Sequence, residues 1–286
     1  MVLVAPRPTR PAPRAAAARR LSGGSEVLSL LRAGAATRPR FDPGLAGGLR
    51  AWLEDAAYGA AASRGDGSAP LVLGTRRLLG TAAGGWGDEA EADWTGDELL
   101  VGRLVHALFR QLVNVGTIGD PLGDALDAFG AEGADELVER IESMAGAERA
   151  LLGETVASHA RQLAGLVPRF APGWLPRTDD RIAIPLAGGR VVLHGVADLL
   201  VGVPQPGVAS LCALGLTTGG PWARERRSLH FVALLETLRS GTPPFRLALL
   251  ESATGRYGIE DVREEHLRAM ASHVCAWLAG ADAVDG

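Results

Sequence analysis

Asp198 is the residue best placed to do chemistry. It sits in HGVADLLVG, residues 194–202, inside a run that is otherwise apolar. A carboxylate buried there alone is expensive. It must pair with a cation such as Arg190, lie at a strand end, or hold a metal ion. Gly195, three residues earlier, lets backbone or ligand approach closely. Metal-assisted phosphodiester cleavage needs carboxylates that hold Mg²⁺ beside the scissile phosphate, and Asp198 suits one such ligand. Glu251, at the end of PPFRLALLE, is a second carboxylate that could reach the same sheet edge. His106 lies in GRLVHALF on a helix face shared with Gly102, Phe109 and Val113. Taken alone, its ordinary role is a ring hydrogen-bonded to a carbonyl. Arg224, Arg226 and Arg227 stand together in ARERR at a helix start. They form either a solvated helix end or a phosphate clamp. Arginine is a good clamp and a poor proton shuttle, because its pKa exceeds 12. No lysine is available, since all 29 residues in the Lys+Arg count are arginine.

Other chemistries lack their residues. The two cysteines, Cys212 and Cys275, have no metal-ligand spacing and are too few for a disulfide framework. His266, His273 and Cys275 share the last helix, but not one face of it, which argues against a zinc site there. GxSxG, P-loop and GxGxxG motifs are absent from the sequence.

The elements that must position Asp198 and His106 follow from periodicity. Leu45–Ala61 has Leu49, Trp52 and Leu53 at helical spacing. From Asp97, Leu100, Leu104, Leu108 and Leu112 recur every four residues, and Gly116 suits a helix C-cap. Two or three more helices follow between Pro121 and Val167. After Pro168 the pattern turns α/β. Strands are expected at Arg181–Leu186, Arg190–Val201, Val208–Leu216 and Phe245–Leu250, and helices at Ala223–Arg239 and Asp261–Leu278. Ala187-Gly188-Gly189 reads as a hairpin turn, and Pro243-Pro244 as the stop of the penultimate helix.

Residues 1–24 are a Pro/Ala/Arg-rich tail that cannot bury enough apolar surface to fold. It reads as a solvated tail, with a loose nucleic-acid contact or an Arg-rich targeting peptide as rivals. Residues 25–96 hold helical segments, the first at Ser25–Leu31, and a Gly- and acid-rich loop at 84–96. Residues 97–286 form the α/β domain, with a helical insertion at 120–170. The apolar fraction of 47% says globular. A net charge of −4 gives no global case for nucleic-acid binding. Apolar runs are too short for a membrane span, and a reducing, cytoplasmic setting is expected. Excess Ala, Gly and Arg, with one Asn and no Lys, matches a high-GC bacterial genome.

GVADLLVG, a strand running into TTGG, an arginine-rich helix entry, the PPFRLALL strand and the upstream helix GRLVHALF resemble, in that order, the RecB-like branch of the PD-(D/E)XK nuclease superfamily. The resemblance spans about residues 97–280. It implies a nuclease-like αβββαβ core, a mixed central sheet flanked by helices, with a helical N-terminal region. It implies that His106 and Asp198 hold the metal, Mg²⁺ or Mn²⁺. The following strand should supply an acid, one residue and then a lysine. The matching positions are Gly215 and Thr217, and Val232 stands where a tyrosine is often found. The resemblance therefore implies a degenerate relative that holds its metal weakly or not at all. Its roles would be DNA binding, as in DNA repair, or service as a non-catalytic subunit beside a nuclease or helicase. An active nuclease using Asp198, His106 and Glu251 is the second expectation, and a protein–protein scaffold the third.

Overall fold

The computed structural model describes residues 38–65, 68–80, 97–203 and 207–280, with Val27, Leu31 and Gln205 besides. The expected tail (1–24) and the loop at 84–96 lie outside these residues. So does most of the expected helix at Ser25–Leu31, of which Val27 and Leu31 are helical and buried.

Helix α1 (Leu45–Ser63) leads to strand β1 (Leu71–Gly74) and the short helix α2 (Thr75–Gly80). Four helices follow: α3 (Asp97–Asn114), α4 (Pro121–Ala131), α5 (Asp135–Glu142) and α6 (Gly146–Leu166). Then come β2 (Arg177–Leu186), β3 (Val191–Val201), β4 (Cys212–Thr217), α7 (Trp222–Ser240), β5 (Arg246–Glu251), β6 (Arg256–Asp261) and α8 (Glu264–Gly280). No helix among the described residues is long and apolar enough to cross a membrane.

The six strands form one mixed, open sheet. β2, β3 and β4 run antiparallel in succession, and β5 returns parallel to β4 after α7. β6 closes the far edge antiparallel to β5, while β1 adds parallel to the first residues of β3. Helices cover both faces, as a sheet apolar on both sides requires. One core packs α1, α7 and α8 against Leu193, Ala197, Leu200, Ala213, Leu247 and Leu249. The other packs α3 to α6 against Leu199, Val201, Leu214, Leu216, Ala248 and Leu250. Leu100, Leu104, Leu108 and Leu112 are all buried in this second core, so the four-residue recurrence marks the inward stripe of α3.

Several boundaries depart from the sequence reading. The expected strand Val208–Leu216 narrows to Cys212–Thr217. Val208 only bridges Gln205, and Ala209–Leu211 are buried without strand pairing, so their apolar character reflects burial alone. The stop of α7 is Gly241 at φ +77°, whose N–H bonds Thr237, ahead of the proline pair. β1 and β6 were not anticipated. β1 is only four residues long, and β6 (RYGIED) carries a partly exposed face without an apolar run.

Candidate functional site

The site arises where the sheet loses its regular alternation. On β3, Val191, Leu193 and Ala197 face α7, so Leu199 should face α7 as well. It packs instead on the α3 side, and Leu200 faces α7. The alternation slips at Asp198. Opposite it on β2, Asp179 has φ +51°, and the ladder skips this pair, resuming at Thr178↔Leu199 and Asp180↔Ala197. Asp179 and Asp198 face α3 by the regular alternation of their strands, and the slip brings Leu199 to the same side.

Helix α3 answers both acids one turn apart. His106 Nδ1 lies 3.7 Å from Asp198 Oδ1, and Arg110 Nη1 donates to Asp179 Oδ2 at 2.8 Å. Arg110 also pairs with Glu132. Asp198 Oδ2 accepts the backbone N–H of Leu216 at 2.7 Å. That bond has a structural cause. β3 pairs with β4 only over Leu199–Val201 and Cys212–Leu214. Beyond Leu214 the strands diverge, and the carboxylate fills the wedge and takes an N–H that the ladder leaves over.

Asp198 is largely shielded, with 24% of its side chain exposed. Burial pushes its carboxyl above the usual range, while His106 and the Leu216 N–H pull it back and Asp179 adds to the rise. Glu225, in the first turn of α7, is the third carboxylate of the neighbourhood. Burial raises it, Arg224 lowers it, Asp198 raises it and His106 lowers it.

β4 enters α7 through a tight turn. Thr217 Oγ1 accepts from Gly219 N–H (3.3 Å) and Gly220 N–H (3.1 Å), and the Thr217 carbonyl accepts from Ser252 N–H (2.9 Å). Thr217 therefore holds the turn together. Gly215 faces α7, because a Cβ there would stand 3.0 Å from Leu229 Cδ2. The β4 side chains on the His106 side are Leu214 and Leu216, both buried and apolar. This corrects the reading of Gly215 and Thr217 as the emptied acid and lysine positions, since neither side chain points toward Asp198. Val232 is buried in the α7 core.

Glu251 does not join the site. It is register partner to Thr217 on β5 and shares a strand face with Leu249, which packs on the α7 side. Its Oε2 accepts from Thr254 Oγ1 at 2.6 Å. Nor do the arginines form one patch. Arg226 reaches across to Glu260 on β6, with Nε 2.9 Å from Oε2. Arg224 offsets Glu225, and Arg227 is exposed. Arg190 bonds the carbonyls of Ala61 and Gly65 at 2.6 and 2.9 Å, so it is the cap of α1 that it serves.

A hard divalent cation takes six or more oxygen ligands. Among the described residues, His106, Asp198 and any third donor do not form a set of ligand atoms within 4.8 Å of one another. Asp179 is held by Arg110. The residues present do not fit a Mg²⁺ or Mn²⁺ centre. Sequence reasoning missed Asp179, Arg110 and Glu225. The Asp179-Asp180 pair in RTDDRIAI was the available signal, as two acids breaking a strand pattern.

A cleft of about 550 Å³ opens between α3, α6 and the turn after β4. Its walls are Leu99 and Val101 of α3, Leu151 and His159 of α6, Met144, and the Thr218–Gly220 turn. His159 Nδ1 lies 2.9 Å from Ser252 Oγ, and burial lowers its pKa.

Comparison of the chain with protein-family models gave no match, and comparison with curated proteins gave none.

Proposed function

We propose that this chain is a catalytically silent relative of the RecB-like PD-(D/E)XK nucleases that binds DNA or serves as a non-catalytic subunit of a DNA-processing assembly. The observation that carries the reading is the unequal state of the site. The run of α6, the antiparallel β2, β3 and β4, then α7 and the parallel β5 supports this reading, and α3 packs on the same face of the sheet. They bring His106 to 3.7 Å from Asp198, yet β4 offers that side only Leu214 and Leu216. β4 therefore supplies neither an acid nor a cation beside Asp198, and Asp179 is already held by Arg110, so this reading gives the site no set that grips a metal ion or stabilises charge developing on a phosphate. Losing one such group commonly costs on the order of 10²–10³ in rate.

Arg224 and Arg227, at the entry of α7, are the phosphate contacts of this reading. Arg256, 4.0 Å over the Trp222 ring, adds a charge at the same end of the helix. Arg226 is neutralised by Glu260 and takes no part. The test pairs two assays on purified protein. Linear and single-stranded DNA are incubated with Mg²⁺ or Mn²⁺, beside Asp198→Ala. Binding of labelled DNA is followed by anisotropy between about 50 and 200 mM salt. The expected result is no cleavage, with salt-sensitive binding that weakens in Arg224→Ala and Arg227→Ala but not in Arg226→Ala. Metal-dependent cleavage that disappears in Asp198→Ala overturns silence.

A second reading, a protein–protein module, is favoured by the cleft between α3 and α6. Leu99, Val101, Met144 and Leu151 give it apolar walls among Glu148, Thr155 and His159, and Leu151 is 66% exposed. Absence of DNA binding at low salt decides for this reading.

A further inference from the structure

We infer that the chain carries a site for a borderline transition cation such as Zn²⁺, built from His230, Glu260 and His266 and separate from the Asp198 pair. The inference does not depend on the proposed function.

The three side chains come from three elements that meet at one edge of the sheet. His230 lies on the third turn of α7, Glu260 on the edge strand β6, and His266 in the first turn of α8. One ligand atom from each falls within 4.8 Å of the others, and this is the one such set of three among the described residues. The imidazoles of His230 and His266 stack with centroids 4.8 Å apart and planes 12° from parallel. His230 Nε2 lies 2.7 Å from Glu260 Oε1. His266 Nδ1 is buried and has no hydrogen-bond partner. A buried ring nitrogen without a partner is uncommon, and a metal ion would give it one.

The donor chemistry selects the ion. Two imidazoles and one carboxylate suit Zn²⁺ and its neighbours better than Mg²⁺ or Ca²⁺, which take oxygen ligands. Tetrahedral zinc, with ligands at about 2.0–2.2 Å, sets them about 3.3 Å apart. Binding requires the His230 and His266 rings to rotate out of their stack so that both in-plane lone pairs meet one ion, and a fourth position stays open for water. The side chains are partly exposed, at 13% for His230 and 22% each for Glu260 and His266, so an ion can enter. Glu260 is already oriented. Arg226, one turn before His230, grips both its oxygens through Nε at 3.0 and 2.9 Å. That leaves Oε1 directed at His230, the arrangement by which an outer cation positions a ligating carboxylate.

The sequence hid this set. His266 was considered with its helix neighbours His273 and Cys275, whereas its companions lie on two other elements.

The test titrates Zn²⁺, then Co²⁺, into the chelator-stripped full chain with a non-thiol reductant. Wild type is compared with His230→Ala, Glu260→Gln, His266→Ala, Arg226→Ala and Asp198→Ala. The expected result is one ion per chain at micromolar or tighter affinity, with a rise in Tm. Binding should weaken at least 100-fold in the three ligand variants and about 10- to 100-fold in Arg226→Ala, and remain unchanged in Asp198→Ala. The Co²⁺ absorption of wild type should be the intense visible band of a four- or five-coordinate centre, a readout that survives even if a variant fails to fold. No stoichiometric binding overturns the proposal, as does binding that all three ligand variants retain. Weak pale six-coordinate Co²⁺ spectra overturn it too. The cluster is then a plain Arg226–Glu260–His230 ion-pair network.

Discussion

Replacing Asp198 in two ways separates its two roles. Its Oδ2 takes the Leu216 N–H at 2.7 Å, and burial raises its pKa. Asp198→Asn keeps an acceptor of the same shape and removes the charge. Asp198→Ala removes both. Leu216 is buried, so its N–H then loses its partner in a wedge that β3 does not reach. An unsatisfied buried donor costs roughly 1–3 kcal/mol, which for a chain of this length lowers Tm by roughly 2–6 °C. The charge term has the opposite sign. Below the ordinary aspartate pKa of 3.8 both the folded and the unfolded protein hold the proton, and Asp198 carries no penalty. As pH rises past 3.8 the unfolded chain ionises first. Folded protein then binds more protons, and stability falls until the folded group ionises too. Asn escapes that loss. Chemical denaturation of the three proteins at pH 3.5, 5 and 7 measures both effects. Asp198→Asn should match wild type at the lowest pH and become the more stable of the two as pH rises. Asp198→Ala should lie below Asp198→Asn throughout. Equal stability of the Ala and Asn variants would refute the N–H cap. Wild type more stable than Asp198→Asn at pH 7 would refute the burial argument.

Gly215→Ala should destabilise by about 1–3 kcal/mol in denaturant melts, because its Cβ meets Leu229 at 3.0 to 3.3 Å in a packed core. By the same geometry the double variant Gly215→Asp/Thr217→Lys should fail to gain metal-dependent cleavage, since both side chains point toward α7. A nuclease assay checks this, and appearance of activity would contradict the side-chain directions. Arg110→Ala should cost roughly 1–2 kcal/mol, since it leaves Asp179 and Glu132 without their shared cation and such half-exposed pairs contribute up to about 1 kcal/mol each. High salt should shrink that difference. The pKa of His159 is lowered by burial, so the unfolded state takes up its proton first. Stability should therefore drop as pH falls below the ordinary histidine pKa of 6.5, and His159→Asn should flatten that slope in a pH series of thermal melts.

The order of elements was legible in the chain because periodicity is local. The four-residue leucine recurrence placed α3, and the apolar runs around Ala187–Gly189 placed the β2–β3 hairpin. Asp198 announced itself as a charge in an apolar strand, and His106 as a histidine on the face beside the leucine stripe. Their approach to 3.7 Å joins residues 92 positions apart, and depends on α3 packing over that end of the sheet. The sequence could not say which way β4 faces Asp198. Strand parity is set by pairing register, and a slip of one residue exchanges the faces. Here the slip just after Asp198 turned Leu199, and with it its partner Leu214, to the α3 side and left Gly215 and Thr217 on the other side. Nor could spacing along one helix reveal His230, Glu260 and His266, which the tertiary fold gathers from α7, β6 and α8. Local pattern thus determined most of the helices, the strands β2 to β5 and which residues are chemically conspicuous, while the short β1 and the half-exposed β6 depend on their pairing in the sheet. Packing of the helices on the two faces decided which of those residues meet. Side-chain direction and inter-element distance are properties of the assembled sheet, and no single segment contains them.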